Sequence, residues 1–275
     1  MSDRANPGYD ALWNTALEAM TMTQQQPEHG RWRGRLTVAI VTTALVACGF
    51  TLLAQTTAPS TATPANVLTA EERSGGWRLL FDGKTTRGWH TFGRDTVVGW
   101  DIKDGELIAL GQGGDHANDI VTNESFGSFE LVVDWKLAPR ANSGILYHVV
   151  EKGYDAVYAT GPEYQLIDVE GWPDKLETWQ WTGANYAMHP PLSAAWKRVG
   201  EWNHTRILVN GTDVEHWLNG VKIVDYQLWT PDWQARVQAG KWNDYPGYGK
   251  AKTGLVGLQD HGNRIWFRNI KIKPL

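Results

Sequence analysis

Short alternations of apolar and polar residues, separated by turn dipeptides, fill the chain from Trp77 onwards. Asp104-Gly105, Asn210-Gly211 and Asn219-Gly220 each separate two β-favouring runs, and each dipeptide accepts the positive φ of a tight hairpin. No helical period lasts long enough to compete. Further strand candidates are Phe129–Leu137, Gly144–Val150, Glu163–Asp168, Gly254–Gln259 and Ile265–Ile272. About a dozen strands joined by polar turns predict two packed antiparallel sheets in an all-β sandwich.

Two long stretches, residues 170–202 and 229–252, interrupt this rhythm. The first holds five Trp and a Pro-Pro pair, and the second is also rich in Trp and Tyr. Irregular segments of this length are usually functional or disordered, and the aromatic content argues against disorder. We interpret both as loops that wall one rim of the sandwich.

The first 75 residues are not domain-like. A basic flank at residues 31–35 precedes an apolar run that closes on Leu-Val-Ala-Cys48-Gly, which resembles the lipobox of bacterial lipoproteins with Cys48 as the lipidated residue. Alternatively, residues 36–54 form one uncleaved transmembrane helix, because about 20 apolar residues span a bilayer. Under either interpretation the basic flank stays cytoplasmic, and the domain is extracytoplasmic and membrane-attached in the bacterial periplasm or at the cell surface.

The chain is therefore divided into four parts. They are a polar basic head (1–35), a lipoprotein signal h-region or membrane anchor (36–54), a Thr/Ala/Pro linker (55–74) and the sandwich domain (75–275).

Composition narrows the class of partner. The net charge is −4 without a basic block, which argues against nucleic acid. Of the 16 Trp, 14 lie beyond residue 75, and Trp offers a flat apolar face with one N–H donor, a combination suited to pyranose rings. Cys48 is the single Cys, so no disulfide forms within the chain. The oligomeric state is left open.

Nine segments, in order, resemble one family, the 3-keto-disaccharide hydrolases or 3-keto-glucoside lyase/hydratases. They are LFDGKTTRGW (80–89), WDIKDGELIA (100–109), FGSFELVVDWKL (126–137), NSGILYHV (142–149), EYQLID (163–168), TGANYAMHPP (182–191), EWNHTRI (201–207), EHWLNGVKIVDY (215–226) and GLQDHGNRIWFRNIKIKPL (257–275). The resemblance implies a jelly-roll sandwich of the concanavalin A/laminin-G kind and cleavage of 3-keto-glycosides. The two rim loops match less closely, so specificity for sugar and aglycone does not transfer.

In EYQLID, the alternation of a strand separates Tyr164 and Leu166 from Glu163 and Gln165. If the apolar pair faces the core, Glu163 and Gln165 face the groove in which such sandwiches hold ligands. A solvated strand face gives the same pattern.

In GLQDHG, Val256 and Leu258 take the core phase, which turns Gln259 and His261 outward. A His at this place offers a base with a pKa near neutrality, as proton abstraction requires. The alternative is an ordinary surface His.

Further candidates for sugar binding lie elsewhere in the chain. His216 alternates with Trp217 and is predicted to face away from the core. Asn142 binds sugar hydroxyls or belongs to a turn, and Arg268 is a groove donor or the partner of a carboxylate such as Asp134. Trp172, in the first rim loop, completes the set.

The implied reaction assigns roles to these residues. A ketone at carbon 3 makes the carbon-2 proton acidic, so elimination can break the glycosidic bond before water adds back. Our hypothesis makes His261 the base, with Glu163 and Asp168 as proton donors or as ligands, together with His261, of Ca²⁺, Mg²⁺ or Mn²⁺. No organic cofactor is expected.

Two other functions fit the same fold class. A glycoside hydrolase working through two carboxylates could use Asp168 and Glu170, about 6.5–7 Å apart along one strand face. A non-catalytic carbohydrate-binding module is supported by the Trp content.

Overall fold

The computed structural model describes residues 64–112 and 118–275. The predictions for the N-terminal head, the segment 36–54 with Cys48 and the linker up to residue 63 lie outside the described residues. Within those residues the strands are β1 (Arg78–Leu79), β2 (Trp89–Thr91), β3 (Trp100–Lys103), β4 (Glu106–Ala109), β5 (Ile120–Phe126), β6 (Phe129–Leu137), β7 (Asn142–Val149), β8 (Glu163–Ile167), β9 (Asn203–Asn210), β10 (Asp213–Leu218), β11 (Val221–Gln227), β12 (Gly254–Leu258) and β13 (Ile265–Pro274).

Helices are short. They are α1 (Ala70–Ser74), α2 (Pro231–Ala239) and single 3₁₀ turns at Val157–Ala159, Thr178–Gln180 and Lys241–Asp244. In the part of the chain that the structure describes, no helix is long and apolar enough to cross a membrane.

The strands form two antiparallel sheets, as the alternation predicts. The large sheet has the order β11-β10-β9-β6-β13-β4-β3, with β1 also paired to β13, and the small sheet has the order β2-β5-β12-β7-β8. Strand β6 shows why they pack, because its buried residues alternate with half-buried ones along all nine positions. The buried set faces the small sheet and forms the main core between the layers.

Two of the three hairpins turn where the dipeptides predict. Asp104-Gly105 links β3 to β4 and Asn219-Gly220 links β10 to β11, and all four residues have positive φ. The third turn is shifted by one residue, since Asn210 still pairs with Asp213 and the two-residue loop is Gly211-Thr212.

The free edge of β8 is covered by the first rim loop. Gly183 N donates to Gln165 O (2.8 Å), Gln165 N to Ala184 O (3.0 Å) and Tyr186 N to Glu163 O (3.0 Å). Unpaired backbone groups at a sheet edge invite pairing with other chains, so this segment protects the edge.

The second rim segment departs from its prediction as a loop, because it contains α2. Thr230 caps this helix by accepting a hydrogen bond from Trp233 N (3.2 Å), and Pro231 occupies its first turn. Few apolar residues lie at helical spacing in α2, so periodicity gave no signal. Trp233 is the buried anchor of the helix.

Residues before position 75 also attach to the sandwich. Asn66 exchanges hydrogen bonds with Asn269 (2.7 and 2.8 Å), and Glu72 pairs with Lys271 (2.7 Å). The described structure therefore adds residues 66–74 to the domain predicted to begin at 75.

Candidate functional site

The outer face of the small sheet carries one continuous row of residues across all five strands. Cα pairing runs from His90 to Val121, then to Gly257, Leu146 and Glu163. Four strand spacings separate the ends of this row by about 19 Å. His90 and Glu163 are thus polar ends of a row whose middle is small or apolar.

Glu163 lies at the β8 end of the row, and its carboxylate bends over Gly144 of β7. A methyl group at Gly144 would come within 2.8 Å of Glu163 Cδ, so only glycine leaves this space. Gln165 pairs with Gly144 on one side, and Gln259 N donates to Gly144 O on the other (3.0 Å). Glu163 and Gln165 of β8, and Gln259 directly after β12, therefore surround one glycine.

We call Glu163, Gln165, Gln259 and Asn142 the polar cluster. The exposed fractions of Glu163, Gln165 and Gln259 are 5%, 2% and 2%, so these residues are buried and not on a solvated strand face. Tyr164 and Leu166 lie in the main core, which confirms the predicted phase of β8.

Three amide oxygens of the polar cluster are buried without a hydrogen-bond partner among the described residues: Asn142 Oδ1, Gln165 Oε1 and Gln259 Oε1. Buried polar atoms in native proteins are nearly always hydrogen-bonded, and exceptions commonly mark a site for a ligand, water or ion. The cluster thus presents acceptors to something that the protein itself does not supply.

His261 follows the polar cluster along the chain, in the turn after β12. Asp260, which precedes it, is fully buried; its backbone N–H donates to Asp119 Oδ1 (2.8 Å) and its Oδ1 accepts from Gly262 N (3.1 Å). The residues on both sides of His261 are therefore fixed by hydrogen bonds from their backbone N–H groups to buried carboxylates. The His261 side chain itself is half-buried.

Asp168 lies one residue beyond β8 and has a different setting. Its Oδ2 accepts a hydrogen bond from Arg140 N (2.8 Å) and its Oδ1 one from Gly171 N (2.9 Å). Five positions after Glu163, it has the opposite strand phase, so the structure does not bring the two predicted carboxylates together. Its contacts tie two loops together.

The predicted metal ligands are likewise separated. In residues 64–112 and 118–275, no group of three or more His, Cys, Asp or Glu side chains could hold a metal ion. The Glu163 carboxylate and the amide side chains of Gln165 and Gln259 instead lie on one face of the sheet, around Gly144. Oxygen donors of this kind suit a hard divalent cation.

The predicted orientation of His216 is wrong. The side chain is fully buried between the sheets, where Nδ1 donates to Gly183 O (3.0 Å) and Nε2 accepts from Tyr147 OH (3.2 Å). Burial lowers the pKa of His216 to about 4, so the imidazole is neutral near pH 7. Trp217 lies on the outer face instead. Alternation predicts only that these two residues face opposite sides of β10, and the pairing of β10 with β9 and β11 decides which side each residue takes.

Two other candidates lie apart from the polar cluster. Arg268 lies on the outer face of the large sheet, with Nε 3.6 Å from Asp134 Oδ2 and its guanidinium 3.9 Å from the centroid of Trp202. It is therefore the partner of a carboxylate, as one of its two predicted roles has it. Trp172 is half-buried in the turn after β8, where its backbone N–H donates to the backbone carbonyl of Asp168 (2.9 Å).

An apolar group borders the polar cluster on the same face. Val121, Leu146, Val149 and Val157 form a second buried cluster, against which Tyr158 packs. The turn at Val157 thus covers the middle of the sheet and confines the polar cluster to the β8 side.

Sequence reasoning missed Gly144, and also Tyr186, whose backbone N–H donates to Glu163 O. The NSG triplet at the start of β7 marks a glycine inside a strand, a signal of close approach by another group. The identity of that group depends on strand pairing, which the sequence pattern does not give.

Comparison with known proteins shows close relatives. A 3-keto-disaccharide hydrolase from Bacteroides thetaiotaomicron is 35% identical over 228 residues, which cover 73% of this chain and 79% of that protein. A crystal structure of a provisionally named glycosyl hydrolase from Parabacteroides distasonis has 43% identity and a TM-score of 0.73, covering 77% of this chain and 100% of that one. A second one from the same species has 29% identity and a TM-score of 0.56, covering 72% and 99%.

The fold and these relatives define the class as carbohydrate-active β-sandwich enzymes that cleave glycosidic bonds. Residues 76–273 match the family model described as a 3-keto-alpha-glucoside-1,2-lyase-like domain. The chain belongs to that family.

Proposed function

We propose that this protein breaks the glycosidic bond of 3-keto-glucosides or 3-keto-disaccharides by elimination followed by hydration. The observation that carries the proposal is the polar cluster, in which Glu163, Gln165 and Gln259 converge over Gly144. Its unpartnered amide oxygens are acceptors for the hydroxyl groups of a sugar. The family and the 3-keto-disaccharide hydrolase relative support the oxidised sugar as substrate.

The reaction begins at carbon 2 of the sugar. The ketone at carbon 3 acidifies the carbon-2 proton, which His261 removes as general base. The electron pair of the C–H bond forms the carbon 1–carbon 2 double bond as the bond from carbon 1 to the glycosidic oxygen breaks. That oxygen takes up a proton and leaves with the aglycone. Water then adds across the double bond, its oxygen to carbon 1 and a proton to carbon 2, which yields the free 3-keto sugar.

Glu163 is the acid of the polar cluster and supplies the proton to the leaving oxygen. It lies over Gly144, beside the amide side chains assigned to the sugar ring. Gln165, Gln259 and Asn142 orient the sugar through their amides, which fix a hydroxylated ring without competing for the transferred proton.

The same oxygens fit a divalent cation. Glu163 with the amide oxygens of Gln165 and Gln259 would hold Ca²⁺, Mg²⁺ or Mn²⁺, and the ion would supply positive charge to the oxygen at carbon 3. In this alternative Glu163 is an ionised ligand and does not donate the proton to the leaving oxygen. Asp168 is left out of the ligand set because its carboxylate already accepts two backbone N–H bonds.

The test is product release from a 3-keto-glucoside and from the corresponding plain glucoside. We expect cleavage of the first only, and a loss of at least ~10²-fold in Glu163→Gln and in His261→Ala, the usual worth of a positioned acid or base. Enzyme freed of metal by a chelator is expected to lose activity and to regain it with one of the three ions.

His204→Ala and Glu124→Gln serve as matched controls, because both side chains are exposed and distant from the polar cluster. Cleavage of the plain glucoside at a similar rate would point to a two-carboxylate hydrolase. Binding of both sugars without cleavage would point to a carbohydrate-binding module.

We also propose an extracytoplasmic, membrane-attached location, which the basic flank and the lipobox-like segment around Cys48 support.

A further inference from the structure

Lys241 stands among aromatic rings in the second rim segment. Its ammonium lies 4.8 Å from the ring centroid of Tyr186, 5.0 Å from that of Trp242 and 5.9 Å from that of Tyr158. A cation near aromatic faces is attracted by their quadrupoles, so three rings hold this ammonium in one region. We call Lys241 and these three residues the lysine cage.

The lysine cage adjoins the polar cluster. Asn185 pairs with Tyr164 in an antiparallel bridge, and Tyr186 N donates to Glu163 O (3.0 Å). Tyr186 is therefore opposite Glu163, and paired residues project to the same face of a sheet. Tyr158 reaches that face as well, because it packs against the apolar group beside the polar cluster.

Within the part of the chain that the structure describes, Lys241 has no acidic partner of the kind that Arg236 has in helix α2, where Arg236 Nε lies 2.8 Å from Asp232 Oδ2. Among the described residues, no carboxylate lies within salt-bridge distance of the Lys241 ammonium. Aromatic rings attract the charge but do not take up its three N–H donors as oxygen atoms would.

A fixed positive charge without an acid partner has a consequence for substrates. Under the proposed function, Glu163 protonates the glycosidic oxygen, so the aglycone lies beside Glu163. Tyr186 of the lysine cage is paired with that residue at the edge of β8. The Lys241 ammonium attracts an aglycone that carries a negative charge. The tyrosine rings offer apolar surface to the remainder of the group.

We propose that Lys241 determines specificity by binding a carboxylate on the aglycone of the substrate. The inference rests on the proposed function, since the polar cluster must hold the sugar ring for the aglycone to reach Lys241. Tyr158, Tyr186 and Trp242 position the ammonium.

The experiment compares 3-keto-glucosides of 4-carboxyphenol and of phenol. We expect wild-type kcat/KM to favour the carboxylated substrate about threefold to fivefold, the range of an exposed ion pair, and this preference to shrink at high salt. Lys241→Met is expected to abolish the preference while cleaving the phenyl substrate as wild type does. Lys241→Arg is expected to restore it.

Lys252→Met is the matched control, because Lys252 also lies over a Trp ring, 5.6 Å from Trp229, in a hollow lined by Gly127 and Gly211. It should keep the wild-type preference. Equal rates for the two substrates in wild type, or an unchanged preference in Lys241→Met, would overturn the inference.

A binding measurement separates this inference from the proposed function. Titration calorimetry with the unoxidised 4-carboxyphenyl and phenyl glucosides requires no turnover. If wild type cleaves neither 3-keto substrate, the proposed function fails, and tighter binding of the carboxylated glucoside to wild type than to Lys241→Met still supports Lys241. No difference in that binding would overturn it.

Discussion

Gly144 shows how one residue shapes the polar cluster. It lies inside β7, with Gln165 of β8 on one side and Gln259, just past the end of β12, on the other. The Glu163 carboxylate fills the space that a side chain would take. A strand-interior glycine costs stability, because glycine loses more conformational freedom on folding. Glycine at position 144 therefore lowers the stability of the fold somewhat, but it leaves room for the Glu163 carboxylate against the sheet.

Gly144→Ala is expected to lower cleavage of a 3-keto-glucoside at least ~10-fold. The new methyl group would lie 2.7 Å from Glu163 Cγ, so the flexible carboxylate must move away from the cluster. Because Glu163 is buried and its Cγ must move as well as its carboxylate, the free energy of unfolding should also fall, by about 1–3 kcal/mol. Steady-state kinetics and urea unfolding measure the two effects.

Gly257→Ala provides the control for that variant. Gly257 lies on the same sheet face, but a methyl group there meets Leu146 Cβ at 3.4 Å, an ordinary contact. It should retain wild-type turnover. Full activity in Gly144→Ala would contradict the role assigned to the Glu163 position.

At the scale of elements, β8 supplies residues of the polar cluster, whereas the turn after it stabilises the adjoining loop. The strand turns Glu163 and Gln165 to the outer face and Tyr164 and Leu166 to the core. Beyond it, Asp168 fixes the start of the first rim loop through Arg140 N and Gly171 N. Hydrogen bonds from backbone N–H groups to a carboxylate are stronger than those between neutral groups, so Asp168 contributes to the stability of the fold.

Asp168→Ala is therefore expected to destabilise the domain by about 1–3 kcal/mol, because it leaves two backbone donors without their acceptor. Glu170→Ala, at an exposed position, should change stability by less than ~0.5 kcal/mol. Urea unfolding midpoints compare the two. If Asp168→Ala instead unfolds as wild type does while losing turnover, Asp168 acts in the chemistry.

At the scale of the whole molecule, the sandwich brings together groups that are distant in sequence. Gln165 of β8 and Gln259, which directly follows β12, flank Gly144 from opposite sides. The two rim segments also meet, since Trp242 Nε1 donates to Tyr186 O (3.1 Å). This contact holds Trp242, and with it the adjacent Lys241, beside Tyr186 in the lysine cage.

Attachment to the membrane is predicted to depend on Cys48. If the lipobox-like segment is processed, Cys48→Ala should lose acyl labelling and leave the membrane fraction, because the thiol is the only site for the lipid. Fractionation and fatty-acid labelling in a bacterial host measure this. A Cys48→Ala protein that resists alkaline extraction would favour the uncleaved helix over residues 36–54.

Several features were predictable from local chemistry alone. The bounds of β6 and the turn at Asn219-Gly220 agree with the structure, because strand alternation and positive φ are properties of neighbouring residues. The relative phase of Glu163 and Tyr164 was predictable for the same reason.

Other features depended on long-range contacts. Alternation predicts which residues of β10 share a face, but not which face is buried. Pairing with β9 and β11 decided that His216 faces inward. The sequence by itself determined a β-sandwich with Glu163 and Gln165 on one face of a strand. Only the tertiary structure decided that Gln259 joins them over Gly144, because strand order and register result from burying both sheets at once, a property of the whole chain.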